Sequence, residues 1–359
     1  MGEHHLPRPE AGAGACRMSS MIPLSVAPMM DITDRHYRSF LRRITRHTLL
    51  YTEMITEQAI RHGDAARLLN FSAAEEPLAL QLGGSDPDGL ATATRIAHEA
   101  GYREVNLNVG CPSDRVQSGR FGACLMLEPA HVADLVTAMR EASPMPVTVK
   151  HRIGVDDRDS FRQLLDFVDT VAAAGVTRFT VHARKAWLQG LSPRENREIP
   201  PLRYDYVRRL AAERPGLEFE LNGGVRNLEQ ASAILTEGDV RAVMIGRGVT
   251  ENPWILADAD ERFFGAAGPA DSPAAAVRSY LEHIEQAMLE GVPYRVLVRP
   301  LLGMFTGMRG ARAWRRHLSE TATAAGSDAS TVLAGLQLID SGPVPVPAVH
   351  PGATAVPGR

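Results

Sequence analysis

The alternation of short apolar runs with helical patterns restricts the fold of this chain more than any other feature. Eight runs of four to seven residues read as strands, and the segments between them carry helix signals such as capping residues and terminal glycines. Strands joined by crossover segments pair in parallel, and runs that are apolar on both faces indicate a sheet covered on both sides. The predicted strands are Leu24–Met29, Leu49–Ile55, Leu78–Leu82, Glu104–Val109, Val147–Arg152, Arg178–His182, Glu218–Asn222 and Ala242–Ile245.

The intervening helix signals support this architecture. Asp86 and Pro87 predict a helix to Glu99, Pro129 begins one to about Glu141, and Ser160–Ala174 is apolar at helical spacing. Eight strand–helix units within about 250 residues have the size of a (β/α)8 TIM barrel. An open doubly wound sheet is the alternative, although no G-x-G-x-x-G motif follows the first strand.

The chain is predicted to have four regions. Residues 1–19 and 341–359 lack periodicity and are expected to be a disordered leader and tail. Residues 20–266 form the barrel. Residues 272–340 contain helical patterns at 274–290, 294–308, 311–320 and 327–339, with no strand signal among them, and are expected to form an all-helical domain.

Composition and charge restrict the classes of protein to which the chain could belong. The chain has three cysteines without metal-ligand spacing, no apolar run long enough for a bilayer and no secretory signal, so we expect a cytoplasmic protein without metal. Its net charge is −3, yet residues 291–319 hold six arginines and no acid. Residues 35–46 form a second basic run. Either run alone is most simply a solvated helix face, and together they permit a nucleic-acid partner.

Reactive groups in a barrel of this kind lie at the carboxyl ends of the strands. The first strand ends in Pro28, Met29 and Met30, an apolar floor suited to a planar ring. Two amides, Gln81 and Asn108, end the third and fourth strands, where a side-chain amide can both donate and accept hydrogen bonds. The fourth strand also presents Cys111, a thiol that can give or take a proton.

The later strand ends carry cations and glycines. Lys150 and His182 end the fifth and sixth strands, and a lysine at a barrel mouth needs an anionic partner. Asn222-Gly223-Gly224 and Gly246-Arg247 end the last two strands, where such barrels often bind phosphate. The joint pattern indicates a planar cofactor with a phosphate tail, and flavin mononucleotide (FMN) is the natural candidate.

Several motifs together closely resemble the tRNA-dihydrouridine synthases over about residues 22–322. They are Ala27–Met30, Asn108–Ser113, Val149–Gly154, Val181–Ala186, Asn222–Gly224 and Ile245–Arg247. Within that family, Leu191–Leu202 and Gly310–Arg316 resemble the DusA subfamily.

The resemblance implies a flavoprotein that reduces the C5–C6 bond of uridine at positions 20 and 20a in the D-loop of tRNA, with NADPH as reductant. It implies hydride transfer from flavin N5 to C6 and protonation of C5 by Cys111. The implied FMN contacts are Pro28, Met29, Met30, Gln81, Lys150, His182, Asn222, Gly223, Gly224, Gly246 and Arg247. The implied tRNA contacts are Asn108, Arg194, Arg197, Arg312 and Arg315.

Two other functions fit part of the pattern. An FMN barrel oxidoreductase for a small molecule, of the dihydroorotate dehydrogenase type, would share the lysine and phosphate loops but would not need an arginine-rich helical appendage. A non-catalytic RNA-binding protein on a decayed barrel would not need Cys111, Lys150 and both glycine loops.

Overall fold

The barrel predicted from the strand pattern is confirmed. The computed structural model describes residues 21–339, so the predictions for the leader and the tail lie outside the described residues. Eight parallel strands pair in chain order and close when the first meets the eighth, with Ser25 opposite Met244. The strands are β1 Leu24–Val26, β2 Leu49–Thr56, β3 Leu78–Gly83, β4 Val105–Val109, β5 Val147–Arg152, β6 Arg178–His182, β7 Glu218–Asn222 and β8 Ala242–Ile245.

Helices surround the strands and supply the connections. The first eleven are α1 Arg35–Leu41, α2 Glu57–His62, α3 Ala65–Leu68, α4 Pro87–Glu99, α5 Asp114–Ser118, α6 Pro129–Ala142, α7 Phe161–Ala173, α8 Tyr204–Glu213, α9 Leu228–Thr236, α10 Arg247–Glu251 and α11 Ala259–Phe264. Their starts follow local chemistry, since Asp86 caps α4 through the Gly89 amide and Ser160 caps α7 through Gln163. Within residues 21–339, no helix combines the length and the apolar character needed to cross a bilayer.

The predicted end of the first strand was wrong. Strand β1 ends at Val26 rather than Met29, because Pro28 has no N–H for the ladder and the Met29 amide donates to the Thr33 hydroxyl.

The residues after the barrel are helical, as expected. They form α12 Pro273–Leu289, α13 Tyr294–Val298, α14 Ala311–Thr321 and α15 Ala329–Leu336. The prediction of one helix over 294–308 was wrong, because Pro300 cannot continue an α-helix and Gly307 has φ +88°. Trp314 is fully buried and donates to the Leu301 carbonyl, which holds α14 against that irregular segment.

The basic run at residues 35–46 is only partly a solvated face. Arg38 and Arg42 are buried on the α1 side of the barrel, where Arg38 pairs with Glu75 at 2.7 Å. Arg42 donates to the carbonyl oxygens of Glu75, Thr45, Thr48 and Pro77. These two arginines therefore hold the fold together and are not available to a nucleic acid.

Candidate active site

The loop that carries Cys111 is held from both sides. The Cys111 amide donates to Asn108 Oδ1 at 3.0 Å, and its carbonyl accepts from the Ala123 amide at 2.9 Å. Gly122 has φ +77°, and a Cβ at that position would lie 2.5 Å from the Cys111 oxygen, so only glycine fits. The half-buried thiol lies 3.4 Å from the Ser113 hydroxyl. The backbone thus fixes where the sulfur can point.

The two predicted amides lie side by side. Asn108 Nδ2 donates to Gln81 Oε1 at 2.8 Å, and Gln81 Nε2 donates to Asn106 Oδ1 at 2.8 Å. Asn108 Oδ1 accepts from the amides of both Gly110 and Cys111. Each predicted amide therefore keeps one N–H that these bonds do not use.

Lys150 lies opposite Asn108 in the sheet and points toward β7. Its Nζ donates to Asn222 Oδ1 at 3.0 Å, and Asn222 Nδ2 donates to the Met244 carbonyl. Burial, reinforced by repulsion from Arg152, lowers the pKa of Lys150 to about 8, although Glu220 opposes the shift. No ion pair holds Lys150 among the described residues, so its ammonium has donors left for an anionic ligand.

His182 and the first glycine pair lie beside this lysine. His182 is opposite Asn222 in the sheet, and its Nδ1 is buried without a hydrogen-bond partner. Burial, followed by repulsion from Arg152 and Lys150, keeps the pKa of His182 well below its ordinary value. Gly223 has φ +105°, and a Cβ there would lie 3.3 Å from the His182 ring. A neutral imidazole with a free nitrogen therefore lies beside an open backbone turn.

Arg247 begins α10 after β8, as the phosphate prediction requires. Its Nη1 donates to Glu198 Oε1 at 2.6 Å and its Nη2 donates to the Arg197 carbonyl. The predicted phosphate loop is thereby connected to the predicted RNA-contacting loop that carries Arg194 and Arg197.

A buried arginine that the sequence analysis missed joins the end of β5 to the loops that follow β4 and β6. Arg152 donates to the carbonyl oxygens of Gly110, Lys185 and Asn196, each at 2.9 Å. Burial lowers the pKa of Arg152 to about 10. Its position two residues after Lys150 was the available signal, since residues i and i+2 of a strand share a face.

The structure brings most of the predicted side chains to one mouth. Arg152 donates to the Gly110 carbonyl beside Cys111, Lys150 donates to Asn222, and Arg247 donates to the Arg197 carbonyl, so hydrogen bonds join the ends of several strands. Met30 is 48% exposed beyond β1.

The arginine-rich helical segment reaches the same side of the barrel. The Thr306 hydroxyl donates to the Glu251 carbonyl at the end of α10, whose first residue is Arg247. Arg299 pairs with Asp34 at 2.6 Å, before α1. Arg312 and Arg315 lie on the exposed face of α14.

The residues at the mouth fit FMN. The orphaned His182 nitrogen, the Lys150 ammonium without a carboxylate and the left-handed turn at Gly223–Gly224 are what a phosphate-bearing planar ligand would satisfy. Within residues 21–339, no group of three or more His, Cys, Asp or Glu side chains could hold a metal ion.

Comparison with known proteins identifies the family. The family model described as Dihydrouridine synthase (Dus) matches residues 25–338, a range that contains every predicted site residue. The chain therefore belongs to the dihydrouridine synthase family, as the motifs indicated.

Individual relatives show which members of the family this chain is similar to. A Synechocystis protein named tRNA-dihydrouridine(20/20a) synthase is 54% identical over 319 residues, covering 89% of this chain and 95% of its own. A protein of the same name from Escherichia coli (strain K12) is 52% identical over 316 residues, covering 88% of this chain and 91% of its own.

A solved structure supports the fold alone. A 2-naphthoyl-CoA reductase in complex with 2-naphthoyl-CoA aligns with 66% of this chain and 50% of its own, at a TM-score of 0.52 and 9% identity.

Proposed function

We propose that this protein reduces uridine to 5,6-dihydrouridine at positions 20 and 20a in the D-loop of tRNA, in the cytoplasm, with bound FMN and with NADPH as the reductant. The observation that carries the proposal is Cys111, a thiol fixed by two backbone hydrogen bonds at the mouth of a barrel of this family. The family match and the names of the relatives support uridine in tRNA as the substrate.

Different residues of the chain would donate the proton, bind the cofactor and bind its phosphate. FMN, when bound, would supply the hydride that reaches C6 of the uracil. Cys111 would give the proton that C5 then needs, and its backbone bonds keep the sulfur in one place. Lys150 and His182 would hold the cofactor, with Pro28, Met29 and Met30 beneath its ring. Asn222, Gly223, Gly224, Gly246 and Arg247 would surround its phosphate.

RNA recognition would use the arginines outside the barrel interior. The target uridine must leave its stack to enter the mouth, which costs a few kcal/mol that contacts elsewhere must offset. Arg194 and Arg197, on the loop bonded to Arg247, and Arg312 and Arg315 on α14 would supply phosphate contacts. Asn108 would use its remaining N–H.

The direct test is to supply the purified protein with NADPH and an unmodified tRNA transcript, and to map dihydrouridine by mass spectrometry. We expect a yellow protein with bound FMN and product at positions 20 and 20a. A colourless protein that cannot be reconstituted with FMN would contradict the cofactor assignment. Flavin without tRNA product would contradict the substrate assignment.

Salt dependence separates this function from that of a small-molecule FMN oxidoreductase. Phosphate contacts release counterions, so tRNA affinity should fall steeply between 50 and 200 mM salt. A small pyrimidine substrate would bind with little salt dependence. Flat salt dependence together with turnover of a free pyrimidine would favour the small-molecule enzyme.

A further inference from the structure

A continuous chain of hydrogen bonds runs through the barrel interior from a partly buried ion pair to the Cys111 loop. It begins at Glu104, which pairs with Arg178 and accepts from the Thr148 hydroxyl at 3.1 Å. Thr148 Oγ1 accepts from Asn106 Nδ2 at 3.0 Å. Asn106 Oδ1 accepts from Gln81, and Gln81 Oε1 accepts from Asn108.

The chemistry at the two ends of the chain fixes the direction of every bond. Glu104, in its ion pair with Arg178, and the Val105 carbonyl can only accept, so Thr148 gives its single proton to one of them and offers Asn106 a lone pair. At the other end, the amides of Gly110 and Cys111 only donate, so Asn108 must turn its oxygen toward them. The three amide side chains between these ends have one orientation that satisfies both.

Turning any one of these amides would break the chain on both of its sides. A flipped Asn106, for example, would place its nitrogen against Gln81 Nε2, two donors face to face, and Thr148 could donate to the Asn106 oxygen only by giving up its bond to Glu104. Asn106 is 0% exposed and Gln81 is 1% exposed, so water cannot repair such a defect.

We propose that Thr148 and Asn106 are positioning residues for the active site. Through them the Glu104 carboxylate fixes which end of the Gln81 amide faces the cofactor and keeps Asn108 Oδ1 on the Cys111 amide. The inference rests on the proposed function, because it assigns these residues to the cofactor and the proton donor of that reaction. Neither residue has a direct part in the chemistry.

The test is Thr148→Val, which keeps the shape of the side chain but removes both its donor and its acceptor. Thr148→Ser restores the hydroxyl. Thr94→Val is the matched control, because Thr94 is equally buried on α4 and its hydroxyl has no partner in the described structure.

The first measurement is the rate of Cys111 alkylation by iodoacetamide across a pH range, in protein that also carries Cys16→Ala and Cys124→Ala, so that Cys111 is its single thiol. We expect Thr148→Val to change this rate and its pH profile, together with the amide exchange of Gly110 and Cys111, while Thr148→Ser and Thr94→Val match the parent. This measurement needs neither tRNA nor NADPH, so it stands even if the proposed reaction is not found.

The second measurement is turnover. Thr148→Val should lower kcat for uridine reduction by about tenfold to 10²-fold, as small misplacements of reacting groups do, with the KM for tRNA nearly unchanged. The flavin absorbance band should shift, because the Gln81 amide is no longer fixed. A variant whose only change is lower thermal stability, with alkylation, flavin spectrum and kcat like the parent, would overturn the proposal.

Discussion

The cations at the barrel mouth and those on α14 differ in how they are held. Lys150 and Arg152 are anchored to an amide oxygen and to three carbonyls, and burial lowers the pKa of both. Arg312 and Arg315 are exposed, on a helix whose opposite face buries Trp314. Lys150 and Arg152 are therefore fixed in position and poorly hydrated. Arg312 and Arg315 are well hydrated and are not fixed in this way.

This difference indicates different ligands. A buried cation is costly unless a partner of defined geometry meets it, which suits a cofactor that always binds in one pose. Exposed arginines interact through solvent and are screened by salt, which suits an RNA backbone whose charge is repeated along the chain. The predictions below test whether cofactor and RNA binding are separable in this way.

The largest expected effect is that of Cys111→Ala. Uridine reduction should fall by about 10²–10⁴-fold, the usual contribution of a general acid, while FMN stays bound and tRNA affinity is unchanged. Single-turnover assays with reduced enzyme measure the loss. Cys124→Ala is the matched control, since Cys124 is also free and half-buried but donates to the Phe121 carbonyl. Equal rates in the two variants would mean that the proton comes from another group.

The second effect is a pH dependence of cofactor binding. Because the pKa of Lys150 is lowered to about 8, the Lys150 ammonium of the unliganded site loses its positive charge between pH 7 and 9. FMN prefers the charged site, so its affinity should fall by about tenfold over this interval. Fluorescence titration measures it, and Lys150→Met should bind weakly with no pH dependence. A pH dependence that persists in that variant would assign the titration elsewhere.

The stability of the unliganded protein should depend on pH in the opposite direction to the affinity for FMN. The unfolded chain binds the Lys150 proton up to its ordinary pKa of 10.5, whereas the folded chain releases it near pH 8. The free energy of unfolding should therefore rise with pH between these values, so far as Lys150 contributes.

The fold could be predicted from the sequence because its signals are local. Strand bounds at β5 to β8 match the predicted ones, since apolar residues recur along each run and each run ends at a polar residue or just before a glycine. The wrong boundaries lie where a single proline ends an element. These are Pro28 after β1 and Pro300 after α13. There the lost backbone donor outweighs the apolar pattern.

The site could be predicted only in part. Cys111, Lys150 and the glycine turns stand out because their residue types are unusual at strand ends. Asn106 and Thr148 do not, since their importance depends on which neighbours face them across β3, β4 and β5. Arg152 likewise resembles a surface cation until its three carbonyl partners are seen. Contacts between distant loops leave no periodic signal in the sequence.

The third effect concerns the exposed arginines. The double variant Arg312→Ala with Arg315→Ala should weaken tRNA binding and lower the salt slope of binding by about two, one for each phosphate contact. NADPH oxidation through the flavin should be unchanged. Arg162→Ala with Arg209→Ala is the control, because both are exposed on outer helices and pair with acids four residues away. Similar loss in both double variants would remove α14 from the recognition model.

The smallest effect concerns Glu198, which pairs both with Arg247, a proposed FMN contact, and with Arg194, a proposed tRNA contact. The Glu198 carboxylate lies 2.6 Å from Arg247 and 3.6 Å from Arg194. It therefore partly neutralises both arginines, which are proposed to bind phosphate. These partly exposed pairs contribute no more than about 1 kcal/mol, so Glu198→Gln should strengthen FMN binding by at most about fivefold. Its tRNA affinity should also rise slightly at low salt.

Glu195→Gln is the matched control, because Glu195 lies in the same loop but bonds to Ser192 instead of an arginine. Fluorescence titration of FMN, with filter binding of tRNA, compares the two variants. Weaker FMN binding in Glu198→Gln would mean that the carboxylate orients Arg247 instead of competing with the phosphate. The cofactor and RNA sites would then share a structural element, and the separation between buried and exposed cations would not hold at this loop.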